Sequence, residues 1–176
     1  METPVQIVIF GASGDLTARK LVPALAGLGA PYWAPQARGG WLGLSLASSR
    51  QDLVRAVVWG IAAQVAILAD AMCTDAGGPL PALRVDGGLS RSRVLLQAQA
   101  DLLQAPVELY PSPDATALGI AALARIGSSG ASSPQDAVGD WRPAAVFEPR
   151  MSADEAGARI AGHSAAARAL IGFHAR

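Results

Sequence analysis

Between Ser49 and Gly127, segments with helical periodicity alternate with short apolar runs that end at glycine or proline. This alternation predicts helices packed on a sheet that contains some parallel strands. The chain has 176 residues, enough for one domain with a substantial core. We therefore predict an α/β fold, in which a mixed sheet is flanked by helices.

The longest helix is predicted to begin at Ser49, because Asp52 three residues later completes a capping pattern. Apolar side chains then recur every three or four residues and are predicted to face the core: Leu53, Val57, Ile61, Val65, Leu68 and Met72. The uncharged run 56–69 is shorter than the ~20 residues that cross a bilayer, so a buried helix is expected.

Further elements follow in order along the chain. We predict strands at 83–85 and 107–110, helices at 90–103 and 112–126, and a terminal helix opened by Ser152–Glu155. The last helix is expected to direct Ile160, Ala167 and Ile171 to one face. The serine-rich run 128–134 is predicted to be a flexible link.

The charge balance and the cysteine content of the chain limit the kinds of ligand and partner that it can be expected to bind. Arginine and lysine together number 14, as do aspartate and glutamate, so no net field attracts nucleic acid or anionic lipid. The lone Cys73 excludes an internal disulfide and a cysteine-rich metal site, which fits a reducing cytoplasm. We expect no nucleic-acid partner, no membrane and no metal-ligating residue.

The histidines and the tryptophans are predicted to have structural roles. His163 and His174 have no partnering pattern and are predicted to face solvent or to cap a helix. Four tryptophans are predicted to pack in the core: Trp33, Trp41, Trp59 and Trp141.

The turn Asp86-Gly87-Gly88 is the most informative candidate site. Paired glycines after a strand and before a helix let backbone N–H groups approach a nucleotide, and the helix N-terminus favours negative charge. An ordinary turn, with glycines for tight packing, gives the same pattern and is the commoner use of it.

A collinear set of segments resembles the glycerol kinase branch of the FGGY carbohydrate kinases. The run 22–33 (VPALAGLGAPYW) is similar to that branch's VPAFAGLGAPYW, and 83–88 (LRVDGG) and 116–119 (TALG) follow in family order. Even Trp141 and the run 147–149 (FEP) resemble the family's C-terminal tail. The resemblance covers about residues 22–172.

This resemblance implies a partial actin-like, ribonuclease-H-like ATPase domain that uses ATP and Mg²⁺ to phosphorylate a polyol or sugar, with glycerol the best substrate guess. By motif, Gly87 and Gly88 would lie against the nucleotide and Ser92 would contact the adenine side. The family usually has asparagine at Ser92, and Ala34 and Gln36 also depart from its acidic residues. A homo-oligomer is compatible with the resemblance.

Other parts of the family pattern are not found. The chain shows no DxGT phosphate loop, no GDQ segment with the catalytic aspartate, and no second threonine-glycine hairpin. We therefore assign no catalytic residue and expect no phosphoryl transfer by this chain alone.

A second resemblance covers about residues 5–25. The run 7–21 (IVIFGASGDLTARKL) resembles the opening of glucose-6-phosphate dehydrogenase, where a glycine turn begins an NADP fold. The two resemblances meet at 21–25, which suggests a fusion or a rearranged reading frame.

Four segments are predicted: a dehydrogenase-like start (1–21), a partial kinase domain (22–127), a flexible linker (128–140) and a tail with the last helix (141–176). The alternatives to a kinase fragment are a remnant acting through protein contacts and an NADP-dependent dehydrogenase fragment.

Overall fold

The computed structural model describes residues 6–8, 28–112, 114–128, 130–139 and 142–174. Within these ranges the strands are β1 (Gln6–Val8), β2 (Gly40–Leu42), β3 (Leu83–Val85), β4 (Val107–Leu109) and β5 (Ala145–Phe147). The helices are α1 (Arg50–Ala76), α2 (Arg93–Leu103), α3 (Ala115–Gly127), α4 (Pro134–Val138) and α5 (Ala153–His174), with a 3₁₀ turn at Gly88–Arg91.

The strands form two small sheets. In the larger sheet β4 is central, parallel to β3 and antiparallel to β5, so Val107 lies opposite both Leu83 and Phe147. In the smaller sheet β1 runs antiparallel to β2. The predicted α/β fold with a mixed sheet and flanking helices is confirmed.

Helix α2 separates two hydrophobic clusters. Leu95, Ala98 and Leu102 recur along one side of α2 and pack with α1 and with Ala156 of α5. Leu96 and Ala100 lie on the other side and pack against the sheet. The core is therefore two layers thick, with α2 shared between the helices and the strands.

The predicted start of α1 is confirmed in detail. The Ser49 hydroxyl accepts from the Asp52 backbone N–H at 3.3 Å, and the Asp52 carboxylate accepts from the Ser49 N–H at 3.0 Å. The reciprocal pair satisfies two N–H groups that a helix start leaves without partners. The Ser49 hydroxyl also donates to the Asp52 carboxylate at 2.6 Å, and this bond, together with the one from the Ser49 N–H, lowers the pKa of Asp52 below its usual value.

The predicted apolar stripe of α1 is confirmed at Ile61, which is buried, and at Val57, which packs against the same core, but it is wrong at Leu68 and Met72. The buried positions are mostly small residues: Ala56, Gly60, Ile61, Ala62, Ala63 and Ala66. Small side chains let α1 lie close to α2, whereas Leu68 and Met72 sit beyond that contact and are 41% and 63% exposed. Helix α1 is also long and apolar enough to span a membrane by length and composition, although its middle packs in the core.

Two tryptophans also contradict the core prediction. Trp33 and Trp41 are 75% and 42% exposed, in a loop and on the small β2 strand, where no second layer from the described part of the chain covers them. Trp59 is partly buried, and the Arg159 guanidinium lies 4.5 Å above its ring. Trp141 lies outside the described residues.

The helices after β3 are present as predicted, but some of them begin at other residues. Helix α3 begins after Asp114 rather than after Ser112, and a 3₁₀ turn precedes α2. Helix α4 lies within the predicted linker 128–140, and the Ser133 hydroxyl accepts from the Asp136 N–H at 3.1 Å. The domain boundaries themselves stay predictions.

His163 contradicts the prediction of a solvent-facing or capping role. It lies one helical turn from Ala167 on the buried face of α5 and is only 4% exposed, because this face packs between α1 and the loop that contains Leu28. Its Nε2 has no hydrogen-bond partner among the described residues. Burial lowers the pKa of His163 from its ordinary 6.5, since the charged ring loses its hydration.

We predict that His163 makes stability fall in mild acid. Because its folded-state pKa is below the unfolded value of 6.5, the unfolded chain binds more protons as the pH falls below 6.5. The resulting loss of stability is absent above pH 6.5 and grows until the pH reaches the pKa of His163 in the folded chain. Urea unfolding below pH 6.5 is expected to show that the free energy of unfolding of the native chain falls as the pH falls. The fall is expected to be smaller in His163→Leu. Equal pH profiles for the two chains would contradict the prediction.

Candidate nucleotide site

The candidate site is the bend that joins β3 to α2. Val85 ends β3, Asp86 is exposed, and Gly87 adopts φ 84° and ψ −174° before the 3₁₀ turn Gly88–Arg91 begins. This backbone region is essentially restricted to glycine. The bend therefore requires glycine at position 87.

Hydroxyl groups hold the bend in shape. The Ser90 hydroxyl donates to the Gly87 carbonyl at 2.6 Å, and the Ser90 N–H donates to the same oxygen at 3.2 Å. Ser92 caps α2, since its hydroxyl oxygen accepts from the Leu95 N–H at 3.3 Å. The role of Ser90 was not predicted, although a serine three residues after a glycine turn is a known local signal.

The bend is open to solvent. Gly87 and Gly88 are exposed, and an added Cβ at either position would meet no heavy atom within 4 Å. Among the described residues, no side chain comes within 4 Å of a Cβ placed on either glycine. A flat ligand could therefore contact the backbone directly, next to the partial positive charge of the α2 N-terminus.

A shallow groove lies nearby, between the N-terminal parts of α1 and α2. Its volume is about 430 Å³, and it is lined by Arg50, Gln51, Val54, Arg55, Val58, Trp59 and Val94. Val94 is two residues beyond Ser92, but neither Gly87 nor Gly88 lines the groove. The predicted site residues Gly87, Gly88 and Ser92 therefore lie together in one bend, but they do not line this groove.

The far end of α2 is tied to the approach to α5 by three polar side chains. The Gln97 amide donates to the Glu148 carbonyl at 2.8 Å, and the Arg150 N–H donates to the buried Asp101 carboxylate at 2.7 Å. The Gln104 amide donates to the Met151 carbonyl at 3.1 Å. These bonds fix α2, and with it the bend at its N-terminus.

The described residues offer no cluster for a divalent cation. Among them, no group of three or more histidine, cysteine, aspartate or glutamate side chains lies close enough to hold a metal ion. The chemistry of the bend is that of backbone donors and a helix terminus, which suits an anionic or nucleotide ligand and not Mg²⁺ by itself.

Comparison with known proteins decides the family. The C-terminal domain of the FGGY family of carbohydrate kinases matches residues 13–128, a range that includes the whole bend. The chain belongs to the FGGY family.

Two glycerol kinases illustrate the relationship in sequence. The enzyme of Bordetella parapertussis is 44% identical over 140 residues, which are 80% of this chain and 28% of the relative. That of Halorhodospira halophila is 46% identical over 144 residues, or 77% of this chain and 26% of the relative. This FGGY chain thus spans little more than a quarter of the length of these curated relatives.

A solved structure supports the fold assignment. The chain superposes on Plasmodium falciparum glycerol kinase with ADP at a TM-score of 0.75 and 26% identity, covering 96% of this chain and 31% of that one. The expected actin-like kinase fold is thereby confirmed for this FGGY chain.

The dehydrogenase resemblance is not supported. The FGGY match begins at residue 13, inside the segment assigned to a dehydrogenase start. Strand β1 pairs antiparallel with β2, whereas the first strand of a dinucleotide fold belongs to a parallel sheet. The glycine turn of residues 11–14 lies outside the described residues.

We predict that alanine destabilises the chain at Gly87 but has little effect at Gly88. Gly87→Ala is expected to lower the free energy of unfolding by about 1–3 kcal/mol, because its backbone conformation excludes a Cβ. Gly88→Ala has open space and is expected to change stability by no more than about 0.5 kcal/mol. Urea unfolding of both variants checks this, and equal destabilisation would show that the bend does not impose a glycine-only conformation.

Proposed function

We propose that this chain is the nucleotide-binding part of an ATP-dependent carbohydrate kinase of the glycerol kinase type. The observation that carries the proposal is the open Gly87–Gly88 bend, positioned between a parallel strand and the N-terminus of α2 within the FGGY match. ATP would supply the phosphoryl group, and glycerol is the acceptor in the names of the two sequence relatives reported above.

The residues of the bend would act in binding. Backbone at Gly87 and Gly88 would lie against the nucleotide, because neither residue carries a side chain that keeps it away. The N-terminus of α2 would favour the negative charge of the phosphates. Ser92 would contact the adenine side through the hydroxyl that also caps α2, in place of the asparagine usual in the family.

Catalysis by this chain alone is not part of the proposal. A kinase needs a carboxylate at the substrate hydroxyl and a Mg²⁺ site at the phosphates. The described residues contain no carboxylate cluster that fits the Mg²⁺, so no step is assigned to the ion here. We propose that the chain binds nucleotide without phosphorylating glycerol.

The setting of such a protein is the cytoplasm, where ATP and polyols are present and Cys73 stays reduced. The apolar helix α1 supports this placement, because its middle lies in the hydrophobic core with α2. We propose ATP and a small polyol as partners, with no role for nucleic acid or membrane.

Calorimetric titration with ATP tests the proposal. Gly88→Leu is expected to weaken ATP binding by at least about tenfold, or about 1.4 kcal/mol, because its side chain would occupy the space of the nucleotide. Gly157→Leu is the matched control, since Gly157 is an equally open glycine on α5, far along the chain from the bend.

Three results would contradict the proposal. They are an absence of ATP binding by the native chain, an equal loss of affinity in both variants, and binding of NADPH in preference to ATP. A coupled assay for glycerol-dependent ADP release should give no signal from the chain alone, and turnover would contradict the absence of a catalytic residue.

A further inference from the structure

The groove between the N-terminal parts of α1 and α2 has no role in the proposed nucleotide site, because neither Gly87 nor Gly88 lines it. We call it the α1–α2 groove. Its volume of about 430 Å³ lies in the range of clefts that hold small organic molecules. The side chains along its walls are of two kinds, apolar and positively charged, and together they define the ligand chemistry that fits.

Apolar side chains from both helices form one part of the wall. Val54 of α1 and Val94 of α2 line the groove and are 57% and 70% exposed. Val58 and Trp59 line it as well and are half-buried. Single exposed valines are ordinary, but these four residues share one concave surface. Covering them with an apolar body removes apolar surface from water, which favours binding.

Trp59 is held in place from the side of α5. The Arg159 guanidinium lies 4.5 Å above the indole ring, and the same guanidinium donates to the Glu155 carboxylate at 3.1 Å. A ring fixed in this way loses little conformational freedom when a ligand packs against it. The groove therefore offers a preorganised aromatic contact.

Two arginines supply positive charge to the groove. Arg50 and Arg55 line it, and in the described part of the chain neither makes an ion pair. Asp52, the acidic residue between them on α1, does not line the groove, and its carboxylate accepts hydrogen bonds from Ser49. The described lining thus carries two guanidinium groups and no carboxylate.

These two properties select one class of ligand. A guanidinium binds a carboxylate through paired, charge-assisted hydrogen bonds, whereas a cation would be repelled. A polar anion such as a sugar phosphate would leave the valines and the tryptophan uncovered. The complement of the groove is a small molecule that joins an anionic group to an apolar body.

We propose that the α1–α2 groove binds a small carboxylate that carries an apolar or aromatic body, at a site separate from the Gly87–Gly88 bend. The carboxylate lies against Arg50 and Arg55, and the body covers Val54, Val94 and Trp59. The ligand touches two helices of the folded chain, so its binding stabilises that chain. This binding requires neither ATP nor kinase activity.

The test titrates the full 176-residue chain with 3-phenylpropionate, which joins a carboxylate to a phenyl ring. The indole N–H resonance of Trp59, assigned by its loss in Trp59→Phe, is followed by NMR. A saturable shift of this resonance is expected. Two matched probes separate the contributions: 3-phenylpropanamide keeps the body without the charge, and acetate keeps the charge without the body. Each is expected to bind at least about tenfold more weakly.

Two variants change the groove itself. Arg55→Gln removes one guanidinium, and Val94→Glu places a negative charge on the wall opposite α1. Each is expected to weaken 3-phenylpropionate binding at least about tenfold, because a charge-assisted bond is lost or a like charge is added. Circular dichroism checks that both variants fold, which the exposure of both side chains favours.

Arg168→Gln and Met72→Glu are the matched controls. Arg168 is an exposed arginine of α5 and Met72 an exposed apolar residue of α1, and neither lines the groove. Both controls are expected to retain native affinity for 3-phenylpropionate.

Four results would overturn the proposal. They are the absence of a saturable shift, equal binding of the amide, equal weakening by the controls, and complete displacement of 3-phenylpropionate by ATP, which would make the groove part of the nucleotide site. The outcome is separate from that of the ATP titration. A chain that binds 3-phenylpropionate but not ATP would retain this inference and lose the proposed function, and the reverse result would do the opposite.

Discussion

The burial of helix α2 is the interaction on which the described structure depends. Leu95, Leu96, Ala98, Ala100 and Leu102 are each 3% exposed or less, although the helix has only 11 residues. One side of α2 packs with α1 and α5 and the other packs on the sheet. Burial of apolar surface stabilises a fold by roughly 25 cal/mol per Å², so this helix contributes to the core through both of its sides.

The position of the candidate site follows from that burial. Ser92 caps α2 and the 3₁₀ turn leads directly into it, so a helix fixed in the core also fixes the Gly87–Gly88 bend. The polar side chains Gln97, Asp101 and Gln104 attach the segment before α5 to the same helix. The bend is thus an exposed backbone feature on a rigid support, the arrangement that a binding site requires.

Local signals in the sequence predicted the elements that depend on local chemistry. The capping pair Ser49 and Asp52, the strand at 83–85 and the bend after it could all be located from neighbouring residues. The exposure of the bend to solvent could not be predicted in this way, because it depends on which side chains from distant parts of the chain reach the bend. Its ligand stays a prediction, although the family is established.

The errors concern residues whose surroundings are set by tertiary packing. Periodicity selected Leu68 and Met72 of α1, but the contact with α2 uses Ala63 and other small residues, since helices approach closely where side chains are small. His163 is polar and was placed in solvent, yet its position on α5 turns it inward. Trp33 and Trp41 are apolar, but no layer in the described part of the chain covers them.

Native-state amide hydrogen exchange of the full chain tests the central position of α2 most directly. The account predicts that amides near Leu96 and Ala100 exchange only through global unfolding, with free energies that follow the denaturant series. Amides of α3 should exchange much faster through local opening. Exchange of α2 at the rates of α3, under conditions where the chain is folded, would contradict the account.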